Sequence, residues 1–437
     1  MNLLAKNTPS LMGEVTCPGD KSISQRAVMI GSLLNADIKI TGFLNGEDPI
    51  STANALNKIG SSIAIEGTEV NIKKRVDPFT SSDGLVDLGN SGTGMRLMMG
   101  LVSGLGLDAI LVGDESLSKR PMLRVANPLN EMGASVTCEE GMPPVNISPG
   151  QITNNFLYEM PIASAQVKSS IILAALAANK KVSVIEKSPT RDHTERMIRY
   201  FEGDIESKKH NLGNIITYNP SELSSKSSYE VVGDFSSAAF MIVAGLIARD
   251  SRILVKNVGM NPTRSGLLHV LKSMGGKISI KNTATICNEE VADILVESSD
   301  LHGVDVKGDI IPIIIDEIPI LSIAASFAKG TTLIKDAAEL RVKESDRLAA
   351  ISDGLLKINI DHELFDDGIK INGSDKDIDD LVEIDSHGDH RIAMSFLIAS
   401  LRSKNGIRVK DCKNIFTSFP TFLTSMKELG LSINEQT

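Results

Sequence analysis

The sequence is poor in aromatic residues and in basic charge. Phe, Trp and Tyr make up 4% of its 437 residues, and tryptophan is absent, so a platform of aromatic side chains for stacking nucleobases is not expected. Acidic residues outnumber Lys and Arg by 55 to 45, which gives a net charge of −10. A general nucleic-acid-binding protein needs a basic face, and this charge balance argues against that class. A local cationic pocket is still compatible with it.

Cysteine is also scarce, and its positions are far apart. The cysteines form no CxxC pair, so the sequence predicts neither a zinc knuckle nor a disulfide scaffold. A reducing cytoplasm is the expected location. The four positions are Cys17, Cys138, Cys287 and Cys412.

Apolar runs long enough to cross a membrane are missing as well. Residues 1–12 lack an apolar core of signal-peptide length. The most apolar window, residues 310–328, is interrupted by Asp316, Glu317 and two prolines. A membrane span would not tolerate two adjacent acids there. We therefore expect a soluble protein with no membrane partner.

The overall composition is typical of a folded chain with several domains. Hydrophobic residues make up 42% and charged residues 23% of the sequence, which argues against intrinsic disorder. At roughly 150 residues per domain, the length predicts two or three domains.

One pattern recurs six times along the chain. A polar turn containing Gly or Ser leads into a segment of small apolar residues, and successive segments start 69 to 83 residues apart. Apolar residues stand nearly all round each segment, which predicts buried helices. β-Branched stretches between them predict strands, namely 109–113, 182–186, 253–258 and 331–336. The apolar segments are 21–34, 90–104, 164–178, 233–248, 316–328 and 388–401.

Six mixed α/β units therefore fill the chain, either as one ring or as two groups of three. Two places are candidates for passages between two groups: the polar, Ser- and Lys-rich segment 202–229, and Pro18-Gly19 before the first unit. If both are crossovers, residues 1–19 and 233–437 form one discontinuous domain and residues 20–232 form the other. The alternative is that 202–229 is only a surface hairpin.

Polar and basic residues stand at the starts of these segments. A helix N-terminus has unpaired N–H donors and a partial positive charge, so it favours anions, and added Lys or Arg side chains strengthen such a site. Capping explains the Ser, Asn and Asp residues, but it does not explain the basic ones. The residues include Lys21, Ser22, Arg26, Asn90, Gly92, Thr93, Arg96, Ser164, Gln166, Lys168, Asp316, Glu317, Asp389, His390 and Arg391.

Three further segments are densely charged, and the first two are predicted to be loops. A single charged loop is usually just solvated, but three of them beside several anion-ready helix starts predict an active site for small polyanions. The segments are SLSKRP at 116–121, SPTRDHTE at 188–195 and ELRVKESDRL at 339–348.

Other common sites are excluded by spacing. GDKS at 19–22 ends like a P-loop, but Glu14 stands where the upstream glycine is needed. GNSGTG at 89–94 does not have the GxGxxG spacing of a dinucleotide site. His387 and His390 lie near two aspartates, but no second histidine pair or cysteine accompanies them, so no metal site is expected.

Together, the motifs resemble those of the 5-enolpyruvylshikimate-3-phosphate (EPSP) synthase family, the 3-phosphoshikimate 1-carboxyvinyltransferases. They follow the family's order from Pro18 to Phe396, so the resemblance spans nearly the whole chain. SAQVKS, TRDHTE and ELRVKESDR are more similar to the family's second class. The matching motifs are PGDKSISQR, LGNSGTGMRL, KRPM, SAQVKS, RDHTE, DEIPIL, LRVKESDRL and GDHRIAMSF.

The resemblance implies both a fold and a reaction. The fold has two similar domains, each of three βαβαββ units with buried helices (the enolpyruvyl transferase fold, an inside-out α/β barrel), and the active site lies in the cleft between them. The reaction transfers the enolpyruvyl group of phosphoenolpyruvate to the 5-hydroxyl of shikimate 3-phosphate and releases phosphate. No cofactor or metal is implied, and we expect a cytoplasmic monomer that binds these two small molecules.

The same resemblance implies the roles of individual residues. Asp316 is the implied base near the 5-hydroxyl, and Glu344, together with Lys21, is the implied acid that later removes the methyl proton. Residues implied to bind shikimate 3-phosphate are Lys21, Ser22, Arg26, Ser164, Gln166, Arg191, Asp316 and Lys343. Residues implied to bind phosphoenolpyruvate are Lys21, Asn90, Gly92, Arg120, Gln166, Arg347 and Arg391.

The chain departs from the first class of the family at two positions. Thr417 stands where that class has a lysine, and Glu339 stands where it has an asparagine, so neither is assigned a substrate contact. The nearest alternative is a UDP-N-acetylglucosamine enolpyruvyl transferase, but the cysteine on its loop before the Arg-Pro motif is absent from residues 116–120. A non-catalytic anion-binding scaffold is the other alternative, and it would not require both Asp316 and Glu344.

Overall fold

The six apolar segments fold as helices, as their composition predicts. In the computed structural model, which describes residues 1–8, 10–82 and 84–436, each segment forms a helix that is largely buried. The helices in these ranges are α1 (Lys21–Leu33), α2 (Glu47–Lys58), α3 (Gly92–Leu105), α4 (Leu123–Glu131), α5 (Ala165–Ala178), α6 (His193–Tyr200), α7 (Phe235–Ile247), α8 (Gly266–Ser273), α9 (Ile311–Ile314), α10 (Ile318–Ser326), α11 (Arg347–Lys357), α12 (His390–Ala399), α13 (Ile415–Ser418) and α14 (Phe422–Glu428). Short 3₁₀ helices cover Leu117–Lys119, Gly308–Ile310, Ala338–Val342 and Ser400–Arg402.

The strands are mostly short, and the four stretches predicted as strands are all strands. They are β1 (Asn2–Lys6), β2 (Met12–Thr16), β3 (Ile38–Thr41), β4 (Ile63–Glu66), β5 (Glu69–Ile72), β6 (Leu85–Asp87), β7 (Ala109–Val112), β8 (Ser135–Glu139), β9 (Met142–Ser148), β10 (Phe156–Glu159), β11 (Val182–Glu186), β12 (Ile205–His210), β13 (Gly213–Tyr218), β14 (Ser228–Glu230), β15 (Arg252–Gly259), β16 (Lys277–Ile286), β17 (Glu289–Glu297), β18 (Asp305–Val306), β19 (Thr331–Ile334), β20 (His362–Phe365), β21 (Gly368–Asn372), β22 (Val382–Asp385), β23 (Ile407–Lys410) and β24 (Ser432–Gln436).

Among the described residues, the strands form six four-stranded mixed sheets with one common plan. In the order β10-β11-β13-β12, for example, the first pair is parallel and the second and third pairs are antiparallel. The sheet β6-β7-β9-β8 repeats this pattern. A parallel pair needs a crossover helix, and an antiparallel pair needs only a hairpin. Each sheet with its helices is thus one βαβαββ unit, which confirms the predicted six-fold repeat.

The chain divides into two compact units. Unit 1 comprises Met1–Pro18, Val232–Thr285 and Glu290–Thr437, and unit 2 comprises Gly19–Val231 and Ile286–Glu289. The segment 202–229 contains the β12–β13 hairpin, and the division between units follows at Val231/Val232. The grouping of Ile286–Glu289 with unit 2 had no signal in the sequence.

Three strands reach their sheets across a long sequence distance. In unit 1, β1 pairs antiparallel with both β23 and β24. In unit 1, β2 pairs in parallel with β15, and the leading strand is thus some 240 positions before its partner. In unit 2, β14 pairs in parallel with β3. These pairings complete two repeats of unit 1 and one repeat of unit 2, so the repeats are continuous in space although three of them are broken in sequence.

Polar side chains cap the buried helices at the ends where the sequence places the site. Asp20 accepts a hydrogen bond from the Ile23 N–H at the start of α1, and Ser91 accepts one from the Gly94 N–H at the start of α3. These bonds satisfy N–H groups that a helix leaves unpaired. Close packing of the helices depends on glycine, because a Cβ on Gly100 of α3 would stand 2.0 Å from the Ser170 carbonyl oxygen of α5.

Candidate active site

Two guanidinium groups lie against the first residue of α3. A Cβ built on Gly92 would be 3.0 Å from Nη1 of Arg120 and 3.2 Å from Nη1 of Arg96. Arg120 is held by Asn90, whose Oδ1 accepts a hydrogen bond from Nη2 at 2.9 Å. Because Gly92 has no side chain, the helix start and both cations border the same position. This arrangement suits an anion.

The Gln166 amide at the start of α5 links this position to the neighbouring helix. Its Oε1 accepts a hydrogen bond from Nη1 of Arg96 at 2.9 Å, and its Nε2 donates to Oγ1 of Thr93 at 2.9 Å. Ser164 caps the same helix by accepting a hydrogen bond from the Val167 N–H. The N-terminal parts of α3 and α5 are therefore joined through Gln166, which the sequence predicted to bind ligand.

Lys21, the first residue of α1, is paired with a buried carboxylate. Its Nζ lies 3.0 Å from Oδ2 of Asp48, which is in the first turn of α2. Gln25, one turn further along α1, donates to Oγ1 of Thr52 and Oγ of Ser91. Lys21 thus stands at a helix start with its ammonium already oriented.

Arg26 is more deeply placed than its predicted role suggested. The side chain is 2% exposed, and it donates to the Ser22 carbonyl oxygen, to Oγ1 of Thr194 and to Oγ of Ser169. It therefore ties α1 to α5 and α6. Arg191 is partly exposed in the segment before α6. The segment 188–195 was predicted to be a loop, but α6 begins at His193, so the last three residues of the segment are helical.

In unit 1, the charged residues gather around the buried guanidinium of Arg347, the first residue of α11. Its Nε donates to Oδ2 of Asp389 at 2.8 Å, its Nη1 lies 3.3 Å from Oδ1 of Asp316, and its Nη2 lies 2.5 Å from Oε2 of Glu344. We call these four residues the Arg347 cluster. Burial alone would lower the pKa of Arg347, but Asp389, Glu344 and Asp316 outweigh that effect and raise its pKa.

Two more cations complete this group. Nζ of Lys343 lies 3.6 Å from Oδ1 of Asp316, and Nη1 of Arg391 donates to the Asp316 carbonyl oxygen at 2.9 Å. The side chains of Asp316 and Glu344 are 14% and 21% exposed, whereas Arg347 is 1% exposed. Both carboxylates therefore reach the surface of the cluster, which proton transfer to a ligand requires.

Nine of the predicted residues thus fall into one group in each unit, and Lys21, Arg26 and Arg191 lie outside these groups. Unit 1 brings together Asp316, Lys343, Glu344, Arg347 and Arg391, while unit 2 places Asn90, Gly92, Arg120 and Gln166 around one helix start. The structure also places the two positions, Thr417 and Glu339, that were not assigned a substrate contact. Thr417 is 3% exposed, and its hydroxyl donates to the Asn414 carbonyl oxygen. Glu339 lies in the 3₁₀ helix before the Arg347 cluster.

Sequence reasoning missed the residues that hold the site in place. Asp48 was not identified, Asp389 was noted only as an acid at a helix start, and Arg96 was not assigned a substrate contact. Their partners are 27, 42 and 70 positions away for Lys21–Asp48, Arg347–Asp389 and Arg96–Gln166. An acid at the start of a helix usually needs no partner beyond the helix, so the sequence had no signal for these pairings.

Residues 1–8, 10–82 and 84–436 contain neither a metal-ion cluster nor a membrane-spanning helix. No three His, Cys, Asp or Glu side chains there are grouped as a metal ion requires. No helix in the same ranges has the length and apolar composition of a membrane span. The cysteines are free thiols.

The chain matches known proteins along nearly its whole length. A family model described as EPSP synthase (3-phosphoshikimate 1-carboxyvinyltransferase) matches residues 6–426. The 3-phosphoshikimate 1-carboxyvinyltransferases of Petrotoga mobilis and Legionella pneumophila (strain Lens) are 47% and 43% identical to it. The first match covers 97% of this chain and 98% of the relative, and the second covers 100% and 99%.

The chain belongs to the EPSP synthase family. Its activity is that of a 3-phosphoshikimate 1-carboxyvinyltransferase in the shikimate pathway, which leads to the aromatic amino acids. The family relation confirms the predicted enzyme and excludes the non-catalytic alternative. It also favours shikimate 3-phosphate over the substrate of the UDP-N-acetylglucosamine enzyme.

Solved structures confirm the fold class. An EPSP synthase from Acinetobacter baumannii is 40% identical and superposes with a TM-score of 0.86, covering 99% of this chain and 100% of that one. The enolpyruvyl transferase NikO from Streptomyces tendae is 14% identical, with a TM-score of 0.78 and coverage of 100% and 99%. At that identity the NikO likeness bears on the fold alone, and it indicates the mixed α/β enolpyruvyl transferase fold.

The position of Gly92 generates a prediction about this EPSP synthase family member. In Gly92→Ala the new methyl group meets the ends of Arg96 and Arg120, which are flexible, so the melting temperature should barely change. Both guanidinium groups must move away from the helix start, so the KM for phosphoenolpyruvate should rise by about tenfold or more. The KM for shikimate 3-phosphate should stay within about twofold of the wild-type value.

Steady-state kinetics with each substrate varied in turn measures this difference. Gly106→Ala is not a suitable control because Gly106 has a positive φ of 67°, so Ser103→Ala in the same helix serves instead. An equal rise in both KM values would contradict the assignment of Gly92 to phosphoenolpyruvate.

Proposed function

We propose that this chain joins phosphoenolpyruvate and shikimate 3-phosphate by means of the two groups of residues described above. Shikimate 3-phosphate carries a phosphate and a carboxylate, and phosphoenolpyruvate carries the same two kinds of group. Two dianionic or trianionic substrates need several cations at a protein whose net charge is −10. The concentration of Lys and Arg at helix starts supports this assignment.

The proposed shikimate 3-phosphate site combines hydroxyl, amide and cationic groups. Ser22, Ser164 and Gln166 would bind by hydrogen bonding, and Arg191 and Lys343 would bind by charge. Arg26 would support this site through Ser22, because its buried guanidinium donates a hydrogen bond to the Ser22 carbonyl oxygen. Asp316 would accept a hydrogen bond from the 5-hydroxyl.

The proposed phosphoenolpyruvate site uses three arginines that lie at or beside helix starts. Arg120, Arg347 and Arg391 would hold its phosphate and carboxylate, and they would stabilise the phosphate as it leaves. Asn90 orients Arg120 by accepting its hydrogen bond. Lys21 and Gln166 would contact both substrates, since each stands at a helix start with a defined orientation.

The chemistry requires two proton transfers in opposite directions. Addition forms a bond between the 5-oxygen and C2 of phosphoenolpyruvate, while the hydroxyl loses a proton and C3 gains one. Elimination then breaks the bond from C2 to the phosphate oxygen and removes a proton from the C3 methyl group. We assign Asp316 as the base for the hydroxyl, and Glu344 with Lys21 as the groups that give and later remove the C3 proton.

One observation carries this assignment. The carboxylates of Asp316 and Glu344 both contact the same guanidinium, that of Arg347, at 3.3 and 2.5 Å. Two partly exposed carboxylates are therefore fixed beside a cation that also suits the transferred group. This is the geometry that paired acid–base work needs.

The finer identity of the enzyme is part of the same proposal. The motifs SAQVKS, TRDHTE and ELRVKESDR support membership of the second class of the family. Free thiols support a cytoplasmic location, and we propose a monomer that works without metal or cofactor. The proposed domains, 1–19 with 233–437 and 20–232, and the active site between them stay predictions.

Phosphate release tests the proposed substrates directly. The purified enzyme should release phosphate only when phosphoenolpyruvate and shikimate 3-phosphate are both present. Replacing shikimate 3-phosphate by UDP-N-acetylglucosamine should abolish the release. Release with UDP-N-acetylglucosamine, or from phosphoenolpyruvate alone, would contradict the proposal.

The role of Glu344 makes a second prediction. Glu344→Gln keeps the size of the side chain and its hydrogen bonding to Arg347 but cannot transfer a proton, so kcat should fall by about 10²-fold or more. The Kd for shikimate 3-phosphate and the melting temperature should barely move. If Glu344 only neutralises its basic neighbours, stability or binding would drop instead, and kcat would stay near normal.

Measuring kcat, Kd and Tm on one preparation separates these outcomes. Glu363→Gln is the matched control, because Glu363 also faces a cation, with Oε2 3.7 Å from Nζ of Lys370, but it lies on strand β20 away from the Arg347 cluster. A near-wild-type kcat for Glu344→Gln would refute the catalytic assignment.

A further inference from the structure

A buried lysine in the first turn of α5 is not used by the proposed mechanism. Lys168 is 0% exposed, although it stands only two positions after Gln166 and four after Ser164. Residues two positions apart do not share a helix face, so Lys168 and Gln166 lie on different faces of α5. Burying an ammonium group is costly unless it is paired and hydrogen-bonded.

The partners of Lys168 bracket the segment that carries Arg191. Its Nζ lies 2.9 Å from Oε2 of Glu186, the last residue of β11, and 2.8 Å from Oε1 of Glu195 in the first turn of α6. It also lies 3.4 Å from the carbonyl oxygen of Thr190. One ammonium therefore contacts both ends of the β11–α6 connection and its interior.

Glu186 fixes the same connection from the other side. Its Oε2 accepts hydrogen bonds from the main-chain N–H of Thr190 at 3.2 Å and from the Thr190 hydroxyl at 2.7 Å, in addition to the bond from Lys168. Thr190 is 8% exposed and immediately precedes Arg191. The residue next to the proposed ligand contact is thus held by three bonds to buried groups.

A second layer of hydrogen bonds joins the same elements. The hydroxyl of Thr194 donates a hydrogen bond to Oγ of Ser169 at 2.8 Å. These two residues are the sequence neighbours of Glu195 and Lys168. Arg26 of α1 donates to both hydroxyl groups. The ion cluster and this layer together connect α1 with the N-terminal parts of α5 and α6.

The electrostatic balance indicates that the lysine stays charged. Burial alone would lower the pKa of Lys168, but Glu195 and Glu186 outweigh that effect and raise its pKa. A packed apolar group would fill this space without the cost of burying three charges. A charged cluster instead fixes the conformation of the β11–α6 connection, because its bonds are satisfied in only one arrangement of that connection.

We propose that Lys168, with Glu186 and Glu195, is a positioning residue that holds the Thr190–Arg191 segment in the arrangement that binds shikimate 3-phosphate. This inference rests on the proposed function, in which Arg191 and Ser164 contact that substrate. None of the residues assigned to phosphoenolpyruvate lies in the β11–α6 connection, so the effect of the cluster falls on shikimate 3-phosphate.

The test compares the binding of the two substrates in Lys168→Met. The Kd for shikimate 3-phosphate, measured by calorimetry, should rise by about tenfold, because the Arg191 segment loses its fixed position. The KM for phosphoenolpyruvate should stay within about twofold at saturating shikimate 3-phosphate. A merely structural role would lower the melting temperature and leave both substrate constants unchanged in the folded protein.

Lys168→Met leaves two buried carboxylates without their cation, and such a change is strongly destabilising. The double variant Lys168→Met/Glu195→Gln removes one of these charges, while Glu186 keeps its two hydrogen bonds from Thr190. The same loss of shikimate 3-phosphate affinity is expected from it.

A conservative pair of variants tests the contact between Thr190 and Glu186 without altering any charge. Thr190→Val removes the hydroxyl that bonds to Glu186, and the Kd for shikimate 3-phosphate should rise about threefold. Thr190→Ser keeps the hydroxyl and should restore the wild-type Kd. Thr217→Val is the matched control, because it removes a threonine hydrogen bond, to Ser183, from the same sheet, and it should leave the Kd unchanged.

The outcomes separate this inference from the proposed site. If Arg191→Gln weakens shikimate 3-phosphate binding but the double variant and Thr190→Val do not, the positioning role of Lys168 is refuted and the site stands. If Arg191→Gln has no effect on that binding, the site assignment fails, and the inference fails with it. Equal weakening of both substrates in the Lys168 variants would also overturn the inference.

Discussion

The charged group of unit 1 depends on a single buried carboxylate, that of Asp389. It is 0% exposed at the N-cap of α12, where Oδ1 accepts a hydrogen bond from the Arg391 N–H at 2.8 Å. Its Oδ2 accepts a hydrogen bond from Nε of Arg347, also at 2.8 Å. One side chain thus caps a helix and supplies the counter-charge of the central arginine. Breaking such a buried pair costs about 3–5 kcal/mol, so the pair holds the Arg347 guanidinium in one position.

Unit 2 uses the same principle with other residues. Lys21 is held by the carboxylate of Asp48, Arg120 by the amide of Asn90, and Arg96 by the amide of Gln166. In each case a cation at a helix start has a partner that fixes its direction before a ligand arrives. Fixed charges lower the reorganisation that a reaction of anions requires. The stability of these pairs and the chemistry of the enzyme are therefore two consequences of one arrangement.

The sequence predicted the repeats and the helix starts, because both depend on local signals. The helix α7 is buried along its whole length, and its composition of small apolar residues already indicated this. Gly92 and Arg347 were identified by motifs that are contiguous in sequence. The sequence did not predict the pairings Arg347–Asp389 and Lys168–Glu186, because they join positions that only the fold brings together. The pairing of β2 with β15 was missed for the same reason, since no local pattern records which strand lies next to another.

The central claim is that buried carboxylates fix the cations of the site, and the KM for phosphoenolpyruvate in Asp389→Asn tests it most directly. Asparagine keeps the N-cap hydrogen bonds but removes the charge that holds Arg347. The account predicts a rise in this KM of about tenfold or more. It predicts a change within about twofold for Asp346→Asn, an N-cap aspartate of α11 that pairs with Arg341 instead. An unchanged KM in Asp389→Asn, or an equal rise in both variants, would contradict the account.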